Sequence, residues 1–193
     1  MPALEHLVLA SVTYLIGSFP SAVLVCNFMG VPDPRQHGSG NPGATNVLRV
    51  GNYLAAALTL TLDITKGFVA ILLAQGFHLP HGIIAILACA VVLGHAYPLP
   101  NGKRGGKGVA TSLGALLAIT PVVGLSLLSF WLVVALSRRQ SSLASVCTAL
   151  LAPLLGFLFA PEYLLAFGVI AIVLFITHRD NIKRLIAGTE ARF

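Results

Sequence analysis

Charge is what this sequence has least of. Its 193 residues carry 12 Lys and Arg and only 6 Asp and Glu, 9% charged against 56% hydrophobic. At a mean hydropathy of +0.89, that shortage excludes a soluble domain. The acidic residues are too few and too scattered for a pair of cooperating carboxylates. No HExxH, cysteine-rich or carboxylate cluster is present, so neither a metal nor any other cofactor is expected. Cys26, Cys89 and Cys147 lie singly in three apolar segments; with neither disulfide nor metal spacing, they read as small buried hydrophobes. Alternating strands of the barrel type and internal repeats are also missing.

What is there is a series of apolar runs, several reaching the ~20 residues that cross ~30 Å of hydrocarbon. Only helices or closed barrels satisfy their backbone in lipid. The expected fold class is therefore all-α: a polytopic integral membrane protein, one domain over residues 1–193, with about seven membrane helical segments, some short or re-entrant. The first run, residues 4–29, lacks a basic leader and carries Glu5, so it reads as a retained helix, interrupted at Gly17-Ser18-Phe19-Pro20. Further spans are expected at 53–73, 82–98, 143–159 and 163–177. The first of these contains Asp63 and Lys66, one turn apart and able to neutralise each other. Residues 109–136 would make a helix roughly 42 Å long, more than one crossing needs, and Thr120-Pro121 divides it. The tail from Arg179 sets Ile182, Leu185 and Ile186 on one face and Arg179, Lys183 and Arg184 elsewhere, as a short interfacial helix would.

The net charge of +6 sits mainly in short loops, which points to membrane orientation and to anionic lipid or substrate, not to nucleic acid. The loops at 35–49 and 103–107 are basic and the link 75–81 carries no charge, so the N-terminus should face outward. If 109–136 turns back near Pro121, Arg138, Arg139 and the basic tail all fall on the inner side, with the C-terminus in.

Two glycine-rich loops carry the chemistry. The first reads HGSGNPGATNVLR over 37–49. Asn41-Pro42 has the form of a helix start, the glycines before it free backbone N–H groups for an anion, and Thr45 and Arg49 share the next face. The second, NGKRGGKGVAT over 101–111, sets Lys103, Arg104 and Lys107 among four glycines before an apolar helix. It is not a P-loop: Asn101 stands where the first glycine belongs, and Gly108 where Ser or Thr would bind magnesium. What survives is anion recognition by lysine and backbone amides. With Ser141-Ser142 and the 178–181 segment, both loops collect on the inner face and could build one polar site. His6, His37, His78 and His81 read as structural or solvated, His95 and His178 as candidate site members.

HGSGNPGATNVLR, LDITKG, GHAYPLPNGKRGGKGVAT, SSLAS and THRDNIKRL, in that order and nearly end to end, resemble the bacterial acyl-phosphate:glycerol-3-phosphate acyltransferases, the PlsY family. The resemblance implies transfer of a fatty acyl group from acyl phosphate to the 1-hydroxyl of sn-glycerol 3-phosphate, giving lysophosphatidic acid and phosphate, the first step of phospholipid synthesis. It also implies a multi-pass protein of the bacterial inner membrane with its site facing the cytoplasm. A functional link to the soluble enzyme that makes acyl phosphate follows as well. By the same resemblance Ser39, Gly40 and Asn41 match the phosphate-holding segment, Arg49 and Lys107 the cations that grip glycerol 3-phosphate, and Ser142, His178 and Asn181 further, catalytic positions. Thr45, Asn46, His95 and Thr111 complete the candidate substrate-binding set. The HxxxxD motif of the acyl-CoA-using enzymes is absent, and NGKR stands where an aromatic Phe-Gly lead-in is expected. The competing class is a membrane transporter or channel for a phosphorylated solute.

Overall fold

The structure is a computed structural model that describes residues 3–99 and 105–192. Among these residues it is all-helical: α1 (Ala3–Gly17), α2 (Ser21–Phe28), α3 (Ala44–Arg49), α4 (Tyr53–Gln75), α5 (His81–Ala96), α6 (Val109–Ile119), α7 (Pro121–Arg138), α8 (Ser141–Phe159), a 3-10 turn at Pro161–Tyr163, α9 (Leu164–Thr177) and α10 (Arg179–Ile186). The spans α1–α2, α4, α7 and α8 are long and apolar enough to cross a membrane; α9 joins them when counted with α10, and α5 and α6 are shorter apolar helices. Among the described residues the all-helical, multi-span class expected from the hydropathy is present, with four helices, or five with the bent α9–α10 pair, long enough to cross. Leu7, Leu15, Val133, Leu150, Phe157 and Ile172 point outward, as lipid-facing side chains do.

Without a hydrophobic drive between helices in lipid, close packing has to hold them together, and small residues allow it. Here glycines work in reciprocal pairs. A Cβ on Gly17 of α1 would overlap the Val91 carbonyl of α5, and one on Gly94 of α5 would overlap the Tyr14 carbonyl of α1. The same reciprocity joins α4 to α6, Gly67 against the Thr111 carbonyl and Gly114 against the Ile64 carbonyl. Asn52 starts α4 by accepting from the Ala55 amide at 2.8 Å.

The breaks fall where the sequence put them, with one exception. Ser18–Pro20 separates α1 from α2, and extended Thr120 (φ −151°, ψ 103°) separates α6 from α7. Gly124 of α7 packs on Leu117 of α6, its Cβ position 2.8 Å from the Leu117 Cα. In a straight helix residues seven apart lie about 10 Å from each other, so the chain folds back at Thr120. The exception is Asn41-Pro42, which is not a helix start. The Asn41 carbonyl accepts the Gly43 amide at 2.9 Å, and Gly43 is extended (φ −140°, ψ 161°). The helix therefore begins at Ala44 and runs for six residues. At the other end α10 leaves α9 at 64° and leaves Ile186 84% exposed, the geometry of a helix lying in the membrane surface.

The glycine contacts set a testable contrast. Gly114→Val should lower stability by about 2 kcal/mol or more, because the α4 backbone has to move. Gly168→Ala, with open space at its Cβ, should be neutral or gain up to about 1 kcal/mol. Thermal unfolding of the detergent-solubilised protein measures both; equal losses would contradict the contact account.

Candidate active site

One cavity of about 530 Å3 opens between α3, α4, α6, α7, α8 and α9. Its mouth is polar, lined from one side by Ser39, Asn41, Thr45 and Arg49 and from the other by Lys107, Ser142, His178 and Asn181. The rest of its wall is mostly apolar, Leu60, Ile64, Leu116, Leu128, Trp131 and Leu174 among others, with Asp63, Ser112, Ser145 and Thr148 set among them. Both glycine-rich loops and the two short segments after α7 and α9 thus meet around a single space.

Lys107 has the firmest setting. The first turn of α10 carries Asn181, whose Oδ1 accepts from the Lys107 ammonium at 2.6 Å, while Thr177 Oγ1 at the end of α9 donates to the Lys107 carbonyl at 2.9 Å. Burial against the alkyl walls, reinforced by the charges of Arg184 and Arg49 and opposed by Glu190, pushes Lys107 down to about 8. His178 is buried at the end of α9 and its Nδ1 lies 2.8 Å from the Leu174 carbonyl. A carbonyl only accepts, so Nδ1 carries the proton and Nε2 is the acceptor. Burial first, and the Lys107 charge second, hold this ring down to about 4, neutral at pH 7.

The residue that sequence reasoning missed is Glu190. The chain beyond α10 returns to the cavity and buries this carboxylate among Ser142 Oγ (2.7 Å), Asn181 Nδ2 (2.7 Å) and Arg184 Nε (2.7 Å), all donating to it. Gln140 Nε2 holds the Glu190 carbonyl at 3.1 Å. Because Asn181 gives its N–H2 to Glu190, its carbonyl oxygen must face Lys107, so the carboxylate orients the amide. An acidic residue in a cationic tail, Arg179 to Arg184 before it, was the only signal available.

The first loop is built differently from expectation. Asn46 is buried and spent on the loop itself: Oδ1 accepts the Ser39 amide at 2.8 Å, and Nδ2 donates to the Pro34 and His37 carbonyls at 2.7 and 2.9 Å. The Gly40 amide goes to the His37 carbonyl at 3.1 Å. Two of the amides expected to converge on an anion are therefore engaged; Ser39 and Asn41 from the loop, and Thr45, Asn46 and Arg49 from α3, line the cavity. Arg49 is exposed, with Nη2 3.5 Å from the Ala191 carbonyl. His95 also lines the cavity, whereas Gly40 does not, and Thr111 is fully buried where α6 packs on Gly67. Lys103 and Arg104 lie outside the described residues. Among those described, no group of three His, Cys, Asp or Glu could hold a metal.

Residues 7–188 match the family model of glycerol-3-phosphate acyltransferase. A protein of that name from Paraburkholderia phymatum is 50% identical over 98% of this chain and 93% of its own length. Its namesake from Bordetella pertussis is 50% identical over 93% and 87%. Two crystal structures of PlsY (YgiH), an integral membrane glycerol 3-phosphate acyltransferase, superpose closely. The glycerol 3-phosphate form gives a TM-score of 0.91 at 38% identity, covering 98% of this chain and 96% of that one. The lysophosphatidic acid form gives 0.89 at 37%, covering 98% and 95%.

Removing the Glu190 charge tests the network directly. Its three donors hold the carboxyl below the ordinary carboxylate range, against a burial that acts the other way. Its stabilisation is thus complete above the unfolded-state value near 4.5 and is lost as pH falls through the lowered folded-state value. Glu190→Gln should cost about 1–3 kcal/mol at pH 7 and flatten the acid limb of the Tm–pH curve. An unchanged acid limb would remove the carboxylate from the account.

Proposed function

Because this chain belongs to the glycerol-3-phosphate acyltransferase family, we propose that it moves a fatty acyl group from acyl phosphate to the 1-hydroxyl of sn-glycerol 3-phosphate, releasing lysophosphatidic acid and inorganic phosphate. The observation that carries this reading is the cavity whose polar mouth has a cation on each side and whose remaining wall is mostly alkyl. A donor with a long acyl tail and a phosphate head needs the trough and one side of the mouth. A small acceptor that bears its own phosphate sits across the mouth, between the two cations.

Arg49 and Lys107, on α3 and before α6, close on the acceptor phosphate from two sides. Ser39 and Asn41 face the donor phosphate, with Thr45 one turn further on. In this arrangement the acyl carbon lies between the two phosphates, and the 1-hydroxyl attacks it. The new C–O bond forms as the bond to the phosphate oxygen breaks. Acyl phosphate is a mixed anhydride with a good leaving group, so positioning and charge stabilisation supply most of the rate. His178 Nε2 accepts the hydrogen bond of the attacking hydroxyl. A ring held near 4 orients that hydroxyl without keeping its proton, which the departing phosphate, a stronger base, takes up. Ser142 and Asn181, tied to Glu190, keep the acceptor side of the mouth open at a fixed width. No cofactor enters. The basic loops on one face favour a cytoplasmic site in the bacterial inner membrane, N-terminus out and C-terminus in, where a soluble enzyme can deliver the acyl phosphate.

Purified protein given labelled glycerol 3-phosphate without added metal tests the reading. Palmitoyl phosphate should yield lysophosphatidic acid, and palmitoyl-CoA should not. Equal use of the thioester would overturn the donor assignment, and no product from either would return the transporter reading. In the same assay Arg49→Ala and Lys107→Ala should raise the glycerol 3-phosphate KM at least tenfold or abolish turnover, whereas Arg138→Ala should be nearly silent.

A further inference from the structure

Asp63 and Lys66 have no part in the reaction as described, yet both are buried in the middle of an apolar helix. Taking an ion pair out of water costs several kcal/mol per ion, and well-packed apolar residues do as well or better for stability alone. Charged groups inside a membrane helix are rare for that reason and mark function when they occur. The pair is also not isolated. Lys66 Nζ lies 2.8 Å from Asp63 Oδ1 and donates to the Phe19 carbonyl at 3.0 Å, in the break between α1 and α2. On the other side, Asp63 Oδ1 is 3.5 Å from His95 Nδ1, at the end of α5.

His95 in turn is the seat of the Lys107 loop. The Gly105 amide donates to the Ala96 carbonyl at 3.0 Å. A Cβ on Gly105 would overlap the His95 carbonyl, and one on Gly106 would overlap the His95 ring at Nε2. The loop therefore lies flat on this histidine before reaching Lys107, and Thr177 fixes its far end. The height at which Lys107 enters the cavity is set by where His95 stands, and His95 is backed by Asp63.

We propose that Asp63 and Lys66 are positioning residues for glycerol 3-phosphate binding, acting through His95 on the Gly105–Gly106 turn and so on the Lys107 ammonium. This rests on the reading that Lys107 grips the acceptor phosphate. The carboxylate lies 3.5 Å from Nδ1 and favours the tautomer that places the proton on that side, holding the ring towards α4. Lys66 neutralises it and ties the same point to the α1–α2 break. The two glycines are required because the imidazole occupies the space a side chain would take, which is a packing demand separate from any contact of their amides with substrate.

Direct binding of radiolabelled glycerol 3-phosphate to the purified protein tests this without relying on turnover. The double variant Asp63→Leu/Lys66→Met leaves no lone charge and should fold, as judged by Tm and a single size-exclusion peak. Its Kd for glycerol 3-phosphate should rise at least tenfold, while its Kd for palmitoyl phosphonate, a non-transferable donor mimic, stays within twofold. A merely structural pair would move both or neither. Should that variant not fold, the near-isosteric Asp63→Asn takes its place with the same expectation. Independently, Gly106→Ala should weaken glycerol 3-phosphate binding at least tenfold in the wild-type background, and that penalty should shrink at least fivefold in the His95→Ser background, where the smaller side chain leaves room for the added methyl. A folded pair variant with wild-type acceptor affinity, or a Gly106→Ala penalty undiminished by His95→Ser, would overturn the proposal. Failure of the wild-type protein itself to bind glycerol 3-phosphate would remove the functional reading and this inference together.

Discussion

The site is arranged around one buried ammonium that has to stay charged. Lys107 sits at the boundary between a polar mouth and an apolar trough, and burial alone would drive it towards the neutral amine. Asn181 accepts from it, and behind the amide the Glu190 carboxylate supplies the opposite charge without touching the lysine. Arg184 and Arg49 pull the other way. The balance leaves Lys107 near 8, charged at pH 7 but with less to lose by desolvation than a lysine in water.

The membrane fold meets a second demand, that helices carrying little polar surface still be held in place. Reciprocal glycine contacts set α1 against α5 and α4 against α6 at backbone distance. The fold-back at Thr120 brings α6 beside α7, so both glycine-rich loops and the ends of α8 and α9 reach one cavity. The polar residues at the mouth hold each other: Ser142, Asn181 and Arg184 converge on Glu190, and Asn46 closes the first loop on itself. Each buried polar atom so engaged avoids the cost of an unmade hydrogen bond.

Much of this was legible in the sequence because its cause is local. Hydropathy located the spans, prolines and glycines located the breaks at Ser18–Pro20 and Thr120, and a Lys among glycines before an apolar run marked Lys107. Pairs one turn apart, Asp63 with Lys66, could be read directly. What escaped depends on residues far apart in the chain. Asn46 looks like a free amide in TNVLR, and only the folded loop shows that Pro34, His37 and Ser39 use it up. Thr111 has the composition of a site residue but the register of a helix contact against Gly67. Glu190 is separated by 48 residues from Ser142, and no spacing rule reaches that far. Asn41-Pro42 failed for the opposite reason, a strong local signal for a helix start overridden by a tighter turn to Gly43.

The central claim is that a depressed, protonated Lys107 is what holds the acceptor phosphate. Measuring glycerol 3-phosphate affinity from about pH 7 to 10 tests it most directly, since the second ionisation of a phosphate monoester, near about 6, lies below that range. We expect affinity to hold up to about 8 and then to fall by up to about tenfold per pH unit as the ammonium is lost, with the falling limb abolished in Lys107→Arg. An affinity that stays flat through about pH 9.5 in the wild-type protein, or a limb that persists unchanged in the arginine variant, would contradict it.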